Sequence, residues 1–144
     1  MIYKRVSHTN DPDIPYLTYV LRLPEISRFI RVDEERYWEY VTTNENVFYF
    51  KAYHNGRLSA ATHCEVSGRM LYMDIMVIPQ YQRQGIATEI VRDIQCGNLA
   101  FDFDTIEVAI DESNAASIGL FEKMGFSRVS KEDELITYVY HASR

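Results

Sequence analysis

Leu71-Tyr72-Met73-Asp74-Ile75-Met76-Val77-Ile78-Pro79-Gln80-Tyr81-Gln82-Arg83-Gln84-Gly85-Ile86-Ala87-Thr88 runs from a strand, through a proline and a polar loop, into a helix. Such a loop delivers the chain to a helix start, where several backbone N–H groups have no intrahelical acceptor. Together with the positive end of the helix dipole they make an anion site suited to a pyrophosphate. Gly85 lets the backbone approach a ligand, and Ala87 keeps the first helical turn free of bulk. Gln82 and Arg83 add side-chain donors at the rim. Other phosphate loops fit poorly. A P-loop needs Gly-Lys, a pair the chain lacks, and the dinucleotide fingerprint needs three spaced glycines where this loop has one.

Working back from the loop, residues 69–78, 58–66 and 47–53 read as three strands. Val47-Phe48-Tyr49-Phe50-Lys51-Ala52-Tyr53 is rich in aromatic strand formers, Asn55-Gly56 is a strong hairpin signal, and Ser67-Gly68 turns the chain again. An antiparallel meander is expected there rather than a βαβ crossover. Ile2-Tyr3-Lys4-Arg5-Val6 predicts a short first strand. Asp11 or Asp13 then caps a helix with Pro15 in its first turn and Ile14, Leu17 and Leu21 on one face. A loop is expected around Pro24. Asp33 reads as a second N-cap, with Glu34 and Glu35 favourable to the dipole, Trp38 and Val41 facing inward and Tyr37 at the margin.

Working forward, Ile86, Ile90, Val91 and Ile94 fall on one helical face, and Gly97-Asn98 ends the helix. Residues 105–110 alternate as a strand. Asn114 opens a helix through Ile118, Leu120, Phe121 and Met124, with Gly125 at its C-terminal cap. Arg128-Val129 and residues 135–140 predict a closing hairpin. No repeat or linker interrupts this order, so residues 1–144 are expected to form one α+β domain.

Composition narrows the function classes. With 47% apolar and 25% charged residues in 144, the chain has the balance of an ordinary globular domain. No apolar run approaches the roughly 18 residues of a membrane span, and the first residues lack a secretion-signal layout. The expectation is a cytoplasmic protein without membrane contact. A net charge of −6 argues against nucleic acid and mildly favours a cationic partner such as an amine. Cys64 and Cys96 are read as buried thiols, and His8, His54, His63 and His141 have no metal-ligand spacing, so no metal is expected.

Gln82-Arg83-Gln84-Gly85-Ile86-Ala87 resembles the [Q/R]-x-x-G-x-[G/A] signature of the GNAT superfamily of N-acyltransferases. Ile75-Met76-Val77-Ile78-Pro79 is similar to the strand that precedes it there. Asn114-Ala115-Ala116-Ser117-Ile118-Gly119-Leu120-Phe121-Glu122-Lys123-Met124-Gly125-Phe126 resembles the family's asparagine-led helix ending in Gly-Phe. The resemblance implies a mixed, mostly antiparallel sheet, flanked by about four helices and splayed open at a cofactor cleft between the strands ending at Ile78 and Ile110. It implies acetyl-CoA as cofactor, an amine acceptor that is a small molecule or peptide, and by analogy a homodimer. Backbone amides of Gln82, Arg83, Gln84, Gly85, Ile86, Ala87 and Thr88 would hold the pyrophosphate. Main-chain groups of Met76, Val77 and Ile78 would pair with the pantetheine arm, and Asn114, Ser117 and Phe121 would contact the cofactor. The plainer reading of Asn114 is a helix N-cap.

In such a site the amine attacks the thioester directly, and the Val77 N–H stabilises the developing oxyanion. Neither cysteine falls on a motif position, which disfavours a covalent intermediate. An alkylamine with a pKa near ~10.4 must first lose a proton. Asp74 is the leading candidate base, with Glu65 and Glu107 as alternatives; each is also readable as a solvated strand residue. Many family members carry a tyrosine where this chain has Phe121, which cannot protonate the leaving thiolate. Tyr72, Tyr138 or Tyr140 are the possible replacements, although a thiol of pKa about 8.5 leaves tolerably well as an anion. The departure motivates a second reading, an acyl-CoA-binding module without catalysis. Acceptor choice would come from the first two helices and their loop, about residues 23–40, and from the last hairpin; Arg22, Arg28, Phe29, Arg31, Tyr37 and Trp38 either shape a pocket or serve as core and solvated surface.

Overall fold

Asn55 and Gly56 both take positive φ, 53° and 75°, the backbone that a two-residue type I′ turn requires. They join β2 (Val47–His54) to β3 (Arg57–Ser67) in an antiparallel hairpin whose register shifts between Ala52 and Tyr53. In this computed structural model residues 1–33 and 35–142 are described. The remaining strands are β1 (Ile2–Arg5), β4 (Met70–Val77), β5 (Thr105–Asp111), β6 (Ser127–Glu132) and β7 (Leu135–His141), and the strand order is β1-β2-β3-β4-β5-β7-β6. The β4–β5 pair is parallel, whereas β1–β2, β2–β3, β5–β7 and β6–β7 are antiparallel. This is the expected mixed, mostly antiparallel α+β architecture.

The helices are α1 (Ile14–Arg22), α2 (Pro24–Ser27), α3 (Tyr37–Thr43), α4 (Ile86–Gln95) and α5 (Ala115–Lys123). The segment around Pro24 is therefore a helical turn and not the expected loop. Proline presets φ for a first helical position, and Ile26 is buried beneath it. Asp33 does not cap α3. Its carbonyl accepts from Tyr37 N–H at 2.8 Å and its side chain from Glu35 N–H at 3.3 Å, so it closes a turn ahead of a helix whose N-cap is Arg36. Glu34 lies outside the described residues.

Contacts divide the chain into two compact units: Met1–Glu65 with Asp74–Ile86, and Val66–Met73 with Ala87–Arg144. In the first, Leu17, Val20 and Leu21 of α1, Val41 of α3, Val47 and Tyr49 of β2, Ala61 of β3 and Met76 of β4 form one core. Tyr37 and Trp38 pack against it, their rings 5.9 and 5.0 Å from that of Tyr49. Lys51 of β2, only 6% exposed, is ion-paired to Asp11 and Asp13, each at 2.9 Å.

In the second unit the inner face of α4, Ile90, Val91 and Ile94, is buried as the sequence period predicts. The α4 chain leaves its helix through Gly97 at φ 81°, with Gly97 N–H donating to Ile94 and Asn98 N–H to Asp93. Cys96 sits in this exit turn and is exposed, unlike the buried Cys64; the expectation of two buried thiols fails because the last helical turn lifts Cys96 off the packed face. α5 ends the same way. Gly125 at φ 90° lets Phe126 N–H reach the Phe121 carbonyl at 3.0 Å and its own N–H reach Glu122.

Candidate functional site

Main-chain directions decide what β4 can offer. Ile78 N–H donates to the Ser59 carbonyl of β3 at 2.9 Å. Successive N–H groups of a strand point to opposite sides, so the Val77 N–H points away from β3 and Met76, like Ile78, points its N–H toward it. The Ile78 carbonyl already accepts from Tyr81 N–H at 2.8 Å. Of the three residues expected along a pantetheine arm, Val77 has its amide turned away from the neighbouring hairpin strand.

Past Val77 the chain makes a single 3-10 turn, Pro79–Tyr81, and then a loop of unusual backbone. Arg83 and Gly85 both take positive φ, 64° and 78°. Alternation of left-handed with ordinary conformations turns successive N–H groups to one side and forms a concave anion nest. The N–H groups of Arg83, Gln84 and Gly85 make no backbone hydrogen bond among the described residues, and the first N–H groups of α4 lack helical acceptors by geometry. A Cβ placed on Gly85 meets no atom within 4 Å, so the space above the loop is open. The donor set therefore fits a diphosphate. Gln82 departs from expectation twice: its backbone N–H, expected to hold the pyrophosphate, donates to the Pro79 carbonyl at 3.2 Å, and its side-chain amide donates back to the Val77 carbonyl at 3.1 Å and ties the loop to the strand end.

A polar network joins α3 to β3 in the first unit. Tyr49 and Val47 of β2 stand opposite His63 and Glu65 of β3, and residues paired this way share a face. Tyr37 Oη lies 2.6 Å from His63 Nδ1, His63 Nε2 lies 2.9 Å from Glu65 Oε1, and Tyr40 Oη donates to the same oxygen at 2.5 Å. Burial works to raise the Glu65 carboxyl, but the hydrogen bonds from Tyr40 and His63 outweigh it and hold it below the usual range. The bond to Glu65, more than burial, pushes the Tyr40 phenol up to about 12.

Asp74 is an exposed residue of β4. Desolvation by neighbouring protein atoms raises its pKa, and nearby Glu65 adds to the rise, while attraction to His63 and a hydrogen bond from the His63 main chain oppose it. A carboxyl raised but open to solvent is what a general base needs. Sequence reading found Asp74 and Glu65 but treated His63 as one of four scattered histidines; its distance from Tyr37 in the chain left no local signal.

In the second unit Asn114 Oδ1 accepts from Ser117 N–H at 3.2 Å, the N-cap arrangement. Phe121 is 5% exposed and packs edge-on against Phe126, ring centroids 5.0 Å apart. Of the tyrosines weighed as thiolate acids, Tyr138 donates to Glu122 Oε2 at 3.1 Å and Tyr140 packs on Phe126, whereas Tyr72 is 40% exposed. Glu107 is half-buried opposite Val139. The parallel β4–β5 ladder holds Met70↔Thr105, Leu71↔Ile106 and Tyr72↔Glu107 and does not extend to Met73 and Val108. Cys64 is inert by burial, which pushes its thiol up to about 12.

A sequence model of the Acetyltransferase (GNAT) family matches residues 15–126, and the chain belongs to that family. Its fold is shared by a domain from Methanocaldococcus jannaschii DSM 2661, 18% identical over 97% of both chains with a TM-score of 0.81. It is also shared by the Campylobacter jejuni N-acetyltransferase PseH in complex with acetyl coenzyme A, 12% identical over 99% of both chains with a TM-score of 0.79. The ribosomal-protein-S18-alanine N-acetyltransferase from Escherichia coli is 20% identical, covering 99% of this chain and 96% of its own, with a TM-score of 0.74. No curated protein matches the sequence.

Proposed function

We propose that the protein is an N-acetyltransferase that moves the acetyl group of acetyl-CoA to a primary amine by direct attack in a ternary complex. The observation that carries this reading is the nest at Arg83 and Gly85, set one short turn after the outward-facing Val77 amide. Backbone N–H groups of Arg83, Gln84 and Gly85, continuing into Ile86, Ala87 and Thr88, hold the diphosphate. Acetyl-CoA supplies the activated thioester carbonyl. The Val77 N–H donates to the oxygen on which negative charge develops. Asp74 accepts the proton that the acceptor ammonium must lose, directly or through water. Met76 and Ile78 shape the strand along the pantetheine arm, and the assignments of Asn114, Ser117 and Phe121 to cofactor contact rest on the family resemblance alone.

The acceptor is a small molecule or peptide amine, and the protein works in the cytoplasm as one domain; a homodimer rests on family analogy alone. Among the described residues no helix is long and apolar enough to cross a membrane. Incubation with acetyl-CoA and a panel of primary amines, following thiol release, tests the activity: release above the acetyl-CoA-only blank is expected with at least one amine. A second reading, an acyl-CoA-binding module without turnover, is favoured by the buried Phe121 at the position where the family resemblance implies a tyrosine in many members. Tight acetyl-CoA binding with no thiol release across the panel would decide for it.

A further inference from the structure

The carboxylates near α3 in the first unit are held in different ways. His63 and Glu65 lie two residues apart on β3, opposite Tyr49 and Val47, so their side chains leave the same face. Burial pushes the Tyr37 phenol well above its ordinary range, so it stays protonated. It donates to His63 Nδ1 at 2.6 Å, and in the neutral ring this places the imidazole proton on Nε2, which faces Glu65 Oε1 at 2.9 Å. Tyr40 Oη donates to the same oxygen. Every proton in this chain points toward Glu65. Its side chain still keeps 38% of its surface open, and the Tyr40 ring beside it is 41% exposed and stacked on His63. Among the described residues neither Glu65 nor Asp74 has a lysine or arginine at ion-pair distance, whereas Asp11, Asp13, Asp102, Asp104 and Glu112 each have one.

We propose that Glu65 determines acceptor specificity by holding a second cationic group of the amine while Asp74 takes the proton from the first. The inference rests on the reading of Asp74 as the base. The Asp74 carboxyl accepts from the His63 main chain, and Glu65 lies two residues further along β3, a rise of roughly 7 Å. An extended diamine of about four or five methylenes spans that separation. A carboxylate edged by aromatic rings suits an ammonium, which gains the opposite charge and the ring faces together. The bonds from Tyr40 and His63 fix the Glu65 carboxylate before a ligand arrives, which lowers the cost of ordering it. Tyr37, His63 and Tyr40 are thus positioning residues for this contact. In the reaction the first nitrogen, its proton passed to Asp74, bonds to the acetyl carbon as the carbon–sulfur bond breaks. The proton shed as the amide forms goes to the departing thiolate. The second ammonium keeps its protons and stays on Glu65.

Steady-state acetylation of linear diamines with two, four, five and six methylenes, each set against the linear monoamine of the same length, tests this by thiol release. The wild-type protein is expected to favour the four- and five-methylene diamines over their monoamines roughly tenfold in kcat/KM, mainly through KM, the scale of one charge-assisted hydrogen bond in a partly exposed site. The two-methylene diamine is too short to reach both carboxylates and should gain only the statistical advantage of a second amine. Glu65→Gln should collapse the preference, and Glu65→Asp should retain part of it. Tyr40→Phe keeps the charge but loses one holding bond, and should reduce the preference through KM. Raising salt should shrink the wild-type preference. Equal use of diamines and monoamines by the wild-type protein, or a preference that survives Glu65→Gln, overturns the inference while leaving the acetyltransferase reading standing. No thiol release with any amine overturns that reading and the inference together.

Discussion

The side-chain amide of Gln82 donates to the main-chain carbonyl of Val77 at 3.1 Å, bridging the loop that follows β4 to the last residue of that strand. The bond holds the proposed diphosphate cradle and the proposed oxyanion donor in one fixed relationship. Gln82→Ala removes it without touching any core residue. A stability loss of about 0.5–1.5 kcal/mol is expected, read as a melting temperature lower by a few degrees, together with acetyl-CoA affinity weaker by at most roughly 10-fold. Calorimetry together with a thermal scan checks both halves.

Gly85 sits at φ 78° with open space where a side chain would go. Gly85→Ala is therefore opposed by backbone conformation and not by collision, at roughly 1–2 kcal/mol. The variant should fold, melt a few degrees lower and bind acetyl-CoA less tightly. Gly85→Glu adds a carboxylate beside the cradle and should abolish binding in a folded protein. Wild-type affinity in the folded Glu variant contradicts the placement.

The loop was legible in the sequence because its signals are local: a proline after a strand, one glycine, a small residue in the first turn. Gly125 and Asn114 were legible for the same reason, and both act as caps. The Tyr37–His63–Glu65–Tyr40 chain was not legible, because strand register and the docking of α3 create it, and no spacing along the chain encodes either. Asp33 misled through its own chemistry: a residue that can cap a helix can equally close the turn before one. Cys96 misled because apolar character does not say which side of a helix exit faces solvent.

Asp74 is exposed but has its carboxyl raised by the protein around it, so it holds its proton to higher pH folded than unfolded. Stability from this group is full below the unfolded value and is lost as pH rises through the folded one. At neutral pH the ionised carboxylate therefore opposes folding. Asp74→Asn should raise the melting temperature at pH 7 only slightly, because solvent screens an exposed carboxylate, with the gain disappearing below about pH 4, where the unfolded carboxyl is also protonated. The same change should lower the acetylation rate roughly 10²- to 10⁴-fold and remove the acid limb of its pH profile. A fully active variant contradicts the role.

Lys51 balances Asp11 and Asp13 almost out of solvent. Burial works against its charge, but bonds to Asp13 and Asp11 raise its pKa overall, and the bond to Lys51 holds Asp13 below the usual carboxylate range. Lys51→Met leaves two carboxylates without their cation and should cost roughly 2–4 kcal/mol, toward the low side of buried pairs because Asp13 is partly exposed. The stability tied to Asp13 is present above its unfolded pKa and lost as pH falls through the lower folded value. Urea titrations at pH 7 and pH 3 should show the wild-type advantage over Lys51→Met shrinking at the lower pH.

Titration of ¹⁵N-labelled protein with acetyl-CoA, followed amide by amide, bears most directly on how the molecule works. The account predicts that the largest shifts fall on Val77 and on Arg83 through Thr88, and that Gly85→Glu erases them. Saturable binding that leaves those amides unmoved would contradict it.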